Sequence, residues 1–187
     1  MSDILITGNK DFGLAKEIGK MYPHTAFVSR SSGFDLELQK DIDRLVKLTQ
    51  NYNTFINCSH IPNFKQTEIL NSVYNNALEN NHKIHIICIG STIDRIIDGK
   101  VWQYATDKKT LRSVCNVLSL NGVWKEGPKV TLLSLGTLSN VVKEGRRTMP
   151  IELAAKYIKW IIDQPEDINI NELSVDPIQN TLWHEFT

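Results

Sequence analysis

Net charge is the first thing this chain lacks: 21 Lys and Arg balance 21 Asp and Glu, and the pI is near 7.0. Without a global basic field, the chain is not built as a nucleic-acid binder, whose affinity rests on neutralised phosphates. Long apolar runs are missing too, and nothing approaches the roughly 18 residues needed to span a bilayer. Met1-Ser2-Asp3 leads straight into Ile4 without a basic n-region or a cleavage site. The expectation is a soluble, cytoplasmic protein. Cysteine is scarce: Cys58, Cys88 and Cys115 are odd in number, far apart and each in an apolar neighbourhood. That suits reduced, buried thiols better than disulfides or a zinc site. His82-x-x-His85 has no third ligand nearby, so no metal is expected. Repeats, low-complexity tracts and long linkers are absent as well. The 187 residues, 41% of them apolar, fit one domain over 1–187 with a real core.

What is there is an alternation of short β-like runs and amphipathic stretches of helical length. Strands are expected at 4–7, 25–29, 54–57, 84–89, 129–134 and 172–175, with helices at 13–21, 36–49, 65–80, 104–120 and 150–163. Pro150 suits a first helical position, and Leu36, Leu38, Ile42, Leu45 and Leu48 keep an apolar stripe. The fold class is α/β: a Rossmann-like, doubly wound parallel sheet in a three-layer αβα sandwich.

On such a fold, Tyr104-Ala-Thr-Asp-Lys108 places a phenol and an ammonium one helical turn apart, on one face. Ser91, thirteen residues earlier, closes the apolar run that starts at Ile84. The trio can move a proton to or from a carbonyl oxygen. Tyrosine ordinarily titrates near 10, and a neighbouring cation such as Lys108 favours its phenolate. Ser91 can hydrogen-bond the substrate oxygen. A Tyr and a Lys four apart also arise on any solvated helix, so the pair gains meaning from its setting.

Upstream, the first strand ends in Thr7-Gly8-Asn9-Lys10-Asp11-Phe12-Gly13-Leu14-Ala15 and enters a helix. In this context a glycine turn lets backbone N–H groups meet a pyrophosphate, although a plain strand-to-helix turn carries glycines too. After the second strand comes Ser29-Arg30-Ser31, with no carboxylate until Asp35. A 2′-phosphate is met by Arg where a free ribose hydroxyl is met by an acid, so Arg30, helped by Ser29, Ser31 and Lys10, favours NADP over NAD. A solvated arginine in a polar turn is the alternative.

These residues together resemble the short-chain dehydrogenase/reductase family, over most of the chain. Thr7-Gly8 with Gly13-Leu14-Ala15 is similar to the family's TGxxxGxG turn, with one extra residue and alanine for the last glycine. Phe34-Asp35-Leu36 looks like the adenine-contacting Asp after the third strand, and Asn57-Cys58-Ser59-His60 stands where the family has NNAG. Ser91 with Tyr104 and Lys108 resembles the catalytic Ser and YxxxK, and Leu135-Gly136-Thr137 the PG turn beside the nicotinamide. The resemblance implies hydride transfer between a nicotinamide cofactor and a small carbonyl or secondary alcohol. It implies Tyr104 as acid/base, Lys108 as ribose anchor, and a homodimer or homotetramer. Gly8, Asn9, Lys10, Gly13, Leu14, Ser29, Arg30, Ser31, Asp35, Leu36, Asn57, Cys58, Ser59, Gly136 and Thr137 join Tyr104 and Lys108 as cofactor-binding residues.

Departures define a second reading. The chain is short for the family, chiefly between Asn57 and Ser91. Asn71 or Asn75 would have to serve as the family's fourth catalytic residue; His60 replaces a glycine and Leu135 a proline. The alternative function is therefore a non-catalytic, dinucleotide-binding or regulatory protein. Ile69, Leu70, Val73, Leu111, Val114 and Leu118 could form an oligomer face or cover the sheet. In the short segment between Gly136 and Pro150, Lys143, Arg146 and Arg147 could attract an anionic substrate or be merely solvated, and Trp102 could wall the pocket.

Overall fold

The computed structural model describes residues 4–95, 102–124, 127–141 and 147–178. Lys143 and Arg146 fall outside them. Six strands, β1 (Ile4–Thr7), β2 (Ala26–Val28), β3 (Thr54–Asn57), β4 (His85–Ser91), β5 (Lys129–Leu135) and β6 (Glu172–Val175), form one sheet in the order β2-β1-β3-β4-β5-β6. Every pairing is parallel. The inner strands β1 and β3 are buried at every position, as continuous apolar runs covered on both faces must be.

Five α-helices supply the cover: α1 (Gly13–Met21), α2 (Gln39–Thr49), α3 (Lys65–Glu79), α4 (Gln103–Trp124) and α5 (Ile151–Ile162). One face of the sheet packs Ile4, Ile6, Ile56, Ile87 and Leu133 against Leu14 and Ile18 of α1 and Ala154, Ile158 and Ile161 of α5. The other packs Leu5, Phe55, Ile86 and Leu132 against Ile42 and Leu45 of α2, Ile69, Leu70 and Val73 of α3, and Leu111 and Cys115 of α4. This is the expected three-layer αβα sandwich.

Of the two roles open to Ile69, Leu70, Val73 and Leu111, covering the sheet is the one observed, since each is fully buried. Val114 and Leu118 pack partly against the same cluster. Besides Tyr104 near its start, the large apolar side chains that α4 leaves exposed are Val117, Leu120, Val123 and Trp124. All three cysteines are free thiols; Cys88 and Cys115 are buried and Cys58 is partly so. His85 is bound to Thr131 Oγ1 at 2.8 Å, within the sheet rather than at a surface. No group of three metal-ligating side chains occurs among the described residues. No helix among them is long and apolar enough to cross a membrane.

Two helix starts differ from expectation. Pro150 has ψ 135° and stands just before α5 rather than in its first turn. α2 begins at Gln39, because 35–38 form a turn in which Glu37 N–H donates to Asp35 Oδ1 and Asp35 N–H to Asp41 Oδ2. These side-chain bonds satisfy the backbone locally and compete with helix. Asp35 also follows the second strand, not a third: β2 is the sheet edge, and only the short turn Arg30–Ser32 separates it from Asp35.

Candidate active site

The sheet order reverses at β1, whose neighbours are β2 on one side and β3 on the other. In open α/β sheets the crevice beyond the carboxyl ends at such a reversal is where ligands bind. A cleft of ≈ 200 Å³ opens there, lined by Gly8 and Asn9 after β1, Ser29 and Arg30 after β2, Asp35 and Leu36 from the following turn, and Ser59 and His60 after β3. The sequence spreads these residues from Gly8 to His60; the parallel sheet brings them to one edge.

Gly8 has φ +154°, and a Cβ there would meet Ala15 Cβ at 2.7 Å, so this turn needs glycine. Gly13, at φ +59°, is the second such position, and Leu14 beside it is core. Asn9 Oδ1 accepts from Asp11 N–H at 2.9 Å and shapes the turn that carries Lys10. Thr7, which the sequence places in the glycine turn without a role of its own, accepts from both Cys58 and Ser59 N–H at 2.9 and 3.0 Å and ties the ends of β1 and β3 together. Gly136 lies against Asp176 and Pro177, whose Cδ would be 2.7 Å from a Cβ. The carbonyl of Thr137 accepts from Met149 N–H at 2.8 Å, folding the following segment back.

At the cleft's outer end Arg30 is held by carboxylates. Its Nη2 donates to Glu37 Oε1 at 2.7 Å and to Asp35 Oδ1 at 3.4 Å, and Asp35, then Glu37, raise its pKa. Ser29 and Ser31 share a 2.7 Å hydroxyl contact beside it.

Tyr104 and Lys108 enter from α4. Burial raises the Tyr104 pKa; the Ser91 side chain nearby lowers it and the Asp94 charge raises it. The phenol is thus an acid at neutral pH. Lys108 was expected to hold that pKa down, but its ammonium faces elsewhere: Nζ donates to Gln66 Oε1 at 2.7 Å and to the Ile89 carbonyl at 2.8 Å. It stands 5.6 Å from the centroid of the Tyr104 ring. The residue is 3% exposed, and burial draws its pKa down to about 8.

Gln66 completes this arrangement. Its Nε2 donates to the carbonyls of Asn57 at 2.8 Å and Ile89 at 3.1 Å, while Asn57 Nδ2 donates to the Gln66 carbonyl at 2.8 Å. Asn57 is fully buried and its Nδ2 is spent inside the protein rather than on the cleft. Asn71 and Asn75, the expected supports for Lys108, are both exposed on the outer face of α3. Gln66, in the first turn of that helix, holds the lysine directly. Cys58 lies near enough for its thiol to feel Lys108, yet burial pushes it up to about 11 and it stays neutral.

Two further groups lay beyond sequence reading. Arg112, one turn past Lys108, grips Asp94 through two bonds of 2.8 and 3.0 Å and also pairs with Glu172. The grip ties α4 to the segment carrying Ser91. His60 Nε2 lies 3.2 Å from buried Asp107 Oδ2, and its ring stands edge-on to Tyr104 with centroids 4.7 Å apart. Pairings across 18 and 47 positions leave no local pattern to read.

Phenol, serine hydroxyl and a glycine-turned cleft thus meet at one end of the sheet, an arrangement able to orient a carbonyl and pass it a proton. No protein-family model matches the sequence, and neither does any curated protein. Solved structures do resemble it. The closed form of serine dehydrogenase complexed with NADP+ has a TM-score of 0.69 and 16% identity, with 92% of this chain and 93% of that one covered. A short chain dehydrogenase from Leptospira borgpetersenii with bound NAD+ reaches 0.73 at 12% identity, covering 94% and 91%. A 3-ketoacyl-(acyl-carrier-protein) reductase from Brucella melitensis complexed with NADH reaches 0.70 at 13%, covering 94% and 96%. Across nearly its whole length, this chain has the fold of the short-chain dehydrogenases and reductases.

Proposed function

We propose that the protein is an oxidoreductase that uses a nicotinamide dinucleotide to interconvert a small carbonyl and its secondary alcohol. The observation that carries this reading is the Tyr104 phenol, close enough to Ser91 for that side chain to lower its pKa, in ring contact with His60 of the cleft at the sheet's reversal point. The glycine turn at Gly8 leaves room for a dinucleotide backbone against α1, and the Arg30 end offers polar groups to an adenosine ribose. When bound, the nicotinamide would supply or take up the hydride. Ser91 would hold the substrate oxygen, and Tyr104 would give that oxygen a proton in reduction and remove it in oxidation. Its raised pKa keeps the phenol protonated at neutral pH, the form in which reduction begins.

NADP is the preferred form on the strength of Arg30. A 2′-phosphate must take that guanidinium from Glu37 and Asp35, so the preference is smaller than a free arginine would give. The exposed row of Val117, Leu120, Val123 and Trp124 on α4 supports a homo-oligomer in solution.

Lys108 favours a second reading, a dinucleotide-binding protein without turnover, because its ammonium is enclosed by Gln66 and Ile89 instead of lowering the Tyr104 pKa. One experiment separates the two. NADPH and NADH are titrated against the protein by nicotinamide fluorescence, and a panel of small carbonyls is then assayed with wild type and Tyr104→Phe. Loss of Tyr104 lowers turnover by about 10² to 10⁴, far more than it lowers cofactor affinity, as removal of a general acid does. Binding without turnover on any carbonyl selects the second reading. Equal affinity for the two cofactors removes the Arg30 argument.

A further inference from the structure

His60 stands where the resembling family has a glycine, and glycine offers a cofactor no side chain. Here the imidazole lines the cleft with Gly8, Asn9, Ser29 and Arg30, and its edge meets the Tyr104 ring. It therefore bridges the dinucleotide cleft and the proton-transferring phenol. Behind it is Asp107, whose side chain is 5% exposed against 30% for His60. One oxygen of that carboxylate faces His60 Nε2 at 3.2 Å and the other accepts from Gln103 Nε2 at 2.7 Å. A carboxylate buried this far is costly unless its bonds are specific.

The pair also defines a tautomer. An ionised carboxylate only accepts, so Nε2 carries the proton. Burial draws the His60 pKa below its usual value; the Asp107 bond raises it and the Lys108 charge lowers it further. Near neutral pH the imidazole is uncharged, and with Nε2 on Asp107 its Nδ1 is left as the acceptor nitrogen of a ring that touches Tyr104, on a residue that lines the cleft. Such an acceptor suits a hydroxyl donor. It does not suit a phosphate, which itself only accepts. Lys108, the ribose anchor that the resemblance implies, is turned to Gln66 and Ile89.

We propose that His60, oriented by Asp107, is a cofactor-binding residue whose Nδ1 accepts a hydrogen bond from a hydroxyl of the nicotinamide-side ribose, an anchor beside the one that the resemblance implies for Lys108. The inference rests on the dinucleotide reading above.

The test compares NADH, ADP-ribose and ADP, of which only the first two carry the second ribose, by calorimetric titration of the full-length protein. His60→Leu weakens NADH and ADP-ribose about tenfold, the effect of losing one strong hydrogen bond, and leaves ADP within about twofold. His60→Asn returns an acceptor near the Nδ1 position and recovers most of the affinity. Asp107→Asn, whose amide can donate to Nε2 and move the proton to Nδ1, weakens the same two ligands. Should His60→Leu not fold by circular dichroism, the Asp107→Asn and His60→Asn pair carries the comparison. Unchanged NADH affinity, a loss shared equally by ADP, or tighter binding in His60→Gly, which would make the imidazole an obstacle, overturns the proposal. A wild type that binds neither NADH nor NADPH sinks the dinucleotide reading and this one with it, and wild-type titrations alone reveal that.

Discussion

Replacing Lys108 by methionine should stabilise the protein at neutral pH while damaging the site. Lys108 is 3% exposed and its pKa falls from 10.5 to about 8. At about 1.4 kcal/mol per pH unit, keeping the ammonium charged in the fold costs about 3 kcal/mol at pH 7. Methionine has similar length and removes that cost. It also strips the donor from Gln66 Oε1 and from the Ile89 carbonyl, each worth about 1 kcal/mol. The net expectation is a gain of about 1 kcal/mol at pH 7. The pH dependence sharpens the test. Because the folded pKa lies below the unfolded one, the unfolded chain binds more protons between about pH 8 and 10.5, and wild type gains stability as pH rises through that window. Cys58 works in the opposite sense, since its folded pKa of about 11 lies above the ordinary 9.0 and its contribution fades above pH 9. Subtracting the variant from the wild type cancels Cys58 and leaves Lys108. Urea unfolding of both proteins should show wild type about 1 kcal/mol less stable than the variant at pH 7 and about 1 kcal/mol more stable at about pH 9.5, a change of about 2 kcal/mol. A difference that does not change with pH would refute the assignment of a costly, enclosed cation.

Three other substitutions probe other parts of the site. Arg112→Ala leaves Asp94, whose side chain is 0% exposed, without its cation and should cost about 3–5 kcal/mol in urea unfolding. Because the same contact holds the segment after Ser91, turnover should fall more than cofactor affinity. Gly136→Ala drives a methyl into Asp176 and Pro177 and should cost about 1–3 kcal/mol, read as a lowered Tm. Glu37→Gln releases Arg30 from its nearer carboxylate, and the affinity ratio of NADPH to NADH should rise about two- to fivefold by fluorescence titration. An unchanged ratio would mean that Arg30 does not meet the 2′-phosphate.

Strand and helix positions were legible because their signals are local. The apolar runs at Ile4–Thr7 and Thr54–Asn57 fall where periodicity puts them, and so does the helix Gly13–Met21. The start of α2 was misplaced because Asp35 and Asp41 satisfy the turn with side-chain bonds that apolar patterning does not register. On α3, periodicity marks Ile69, Leu70 and Val73 as apolar but cannot say whether a sheet or another subunit covers them.

By itself, the sequence determined the fold class and the presence of Ser91, Tyr104 and Lys108 at strand-end and helical spacing, since strand propensity, apolar period and the i, i+4 relation are properties of neighbouring residues. Tertiary structure decided what those groups meet. That Lys108 bonds Gln66 rather than serving Tyr104, that Asn57 turns inward and that His60 reaches Asp107 depend on partners drawn together by the packed sheet and helices, and Glu37 reaches Arg30 only through the fold of the turn between them. Direction and distance in space set hydrogen bonds and pKa values, and separation along a chain carries neither.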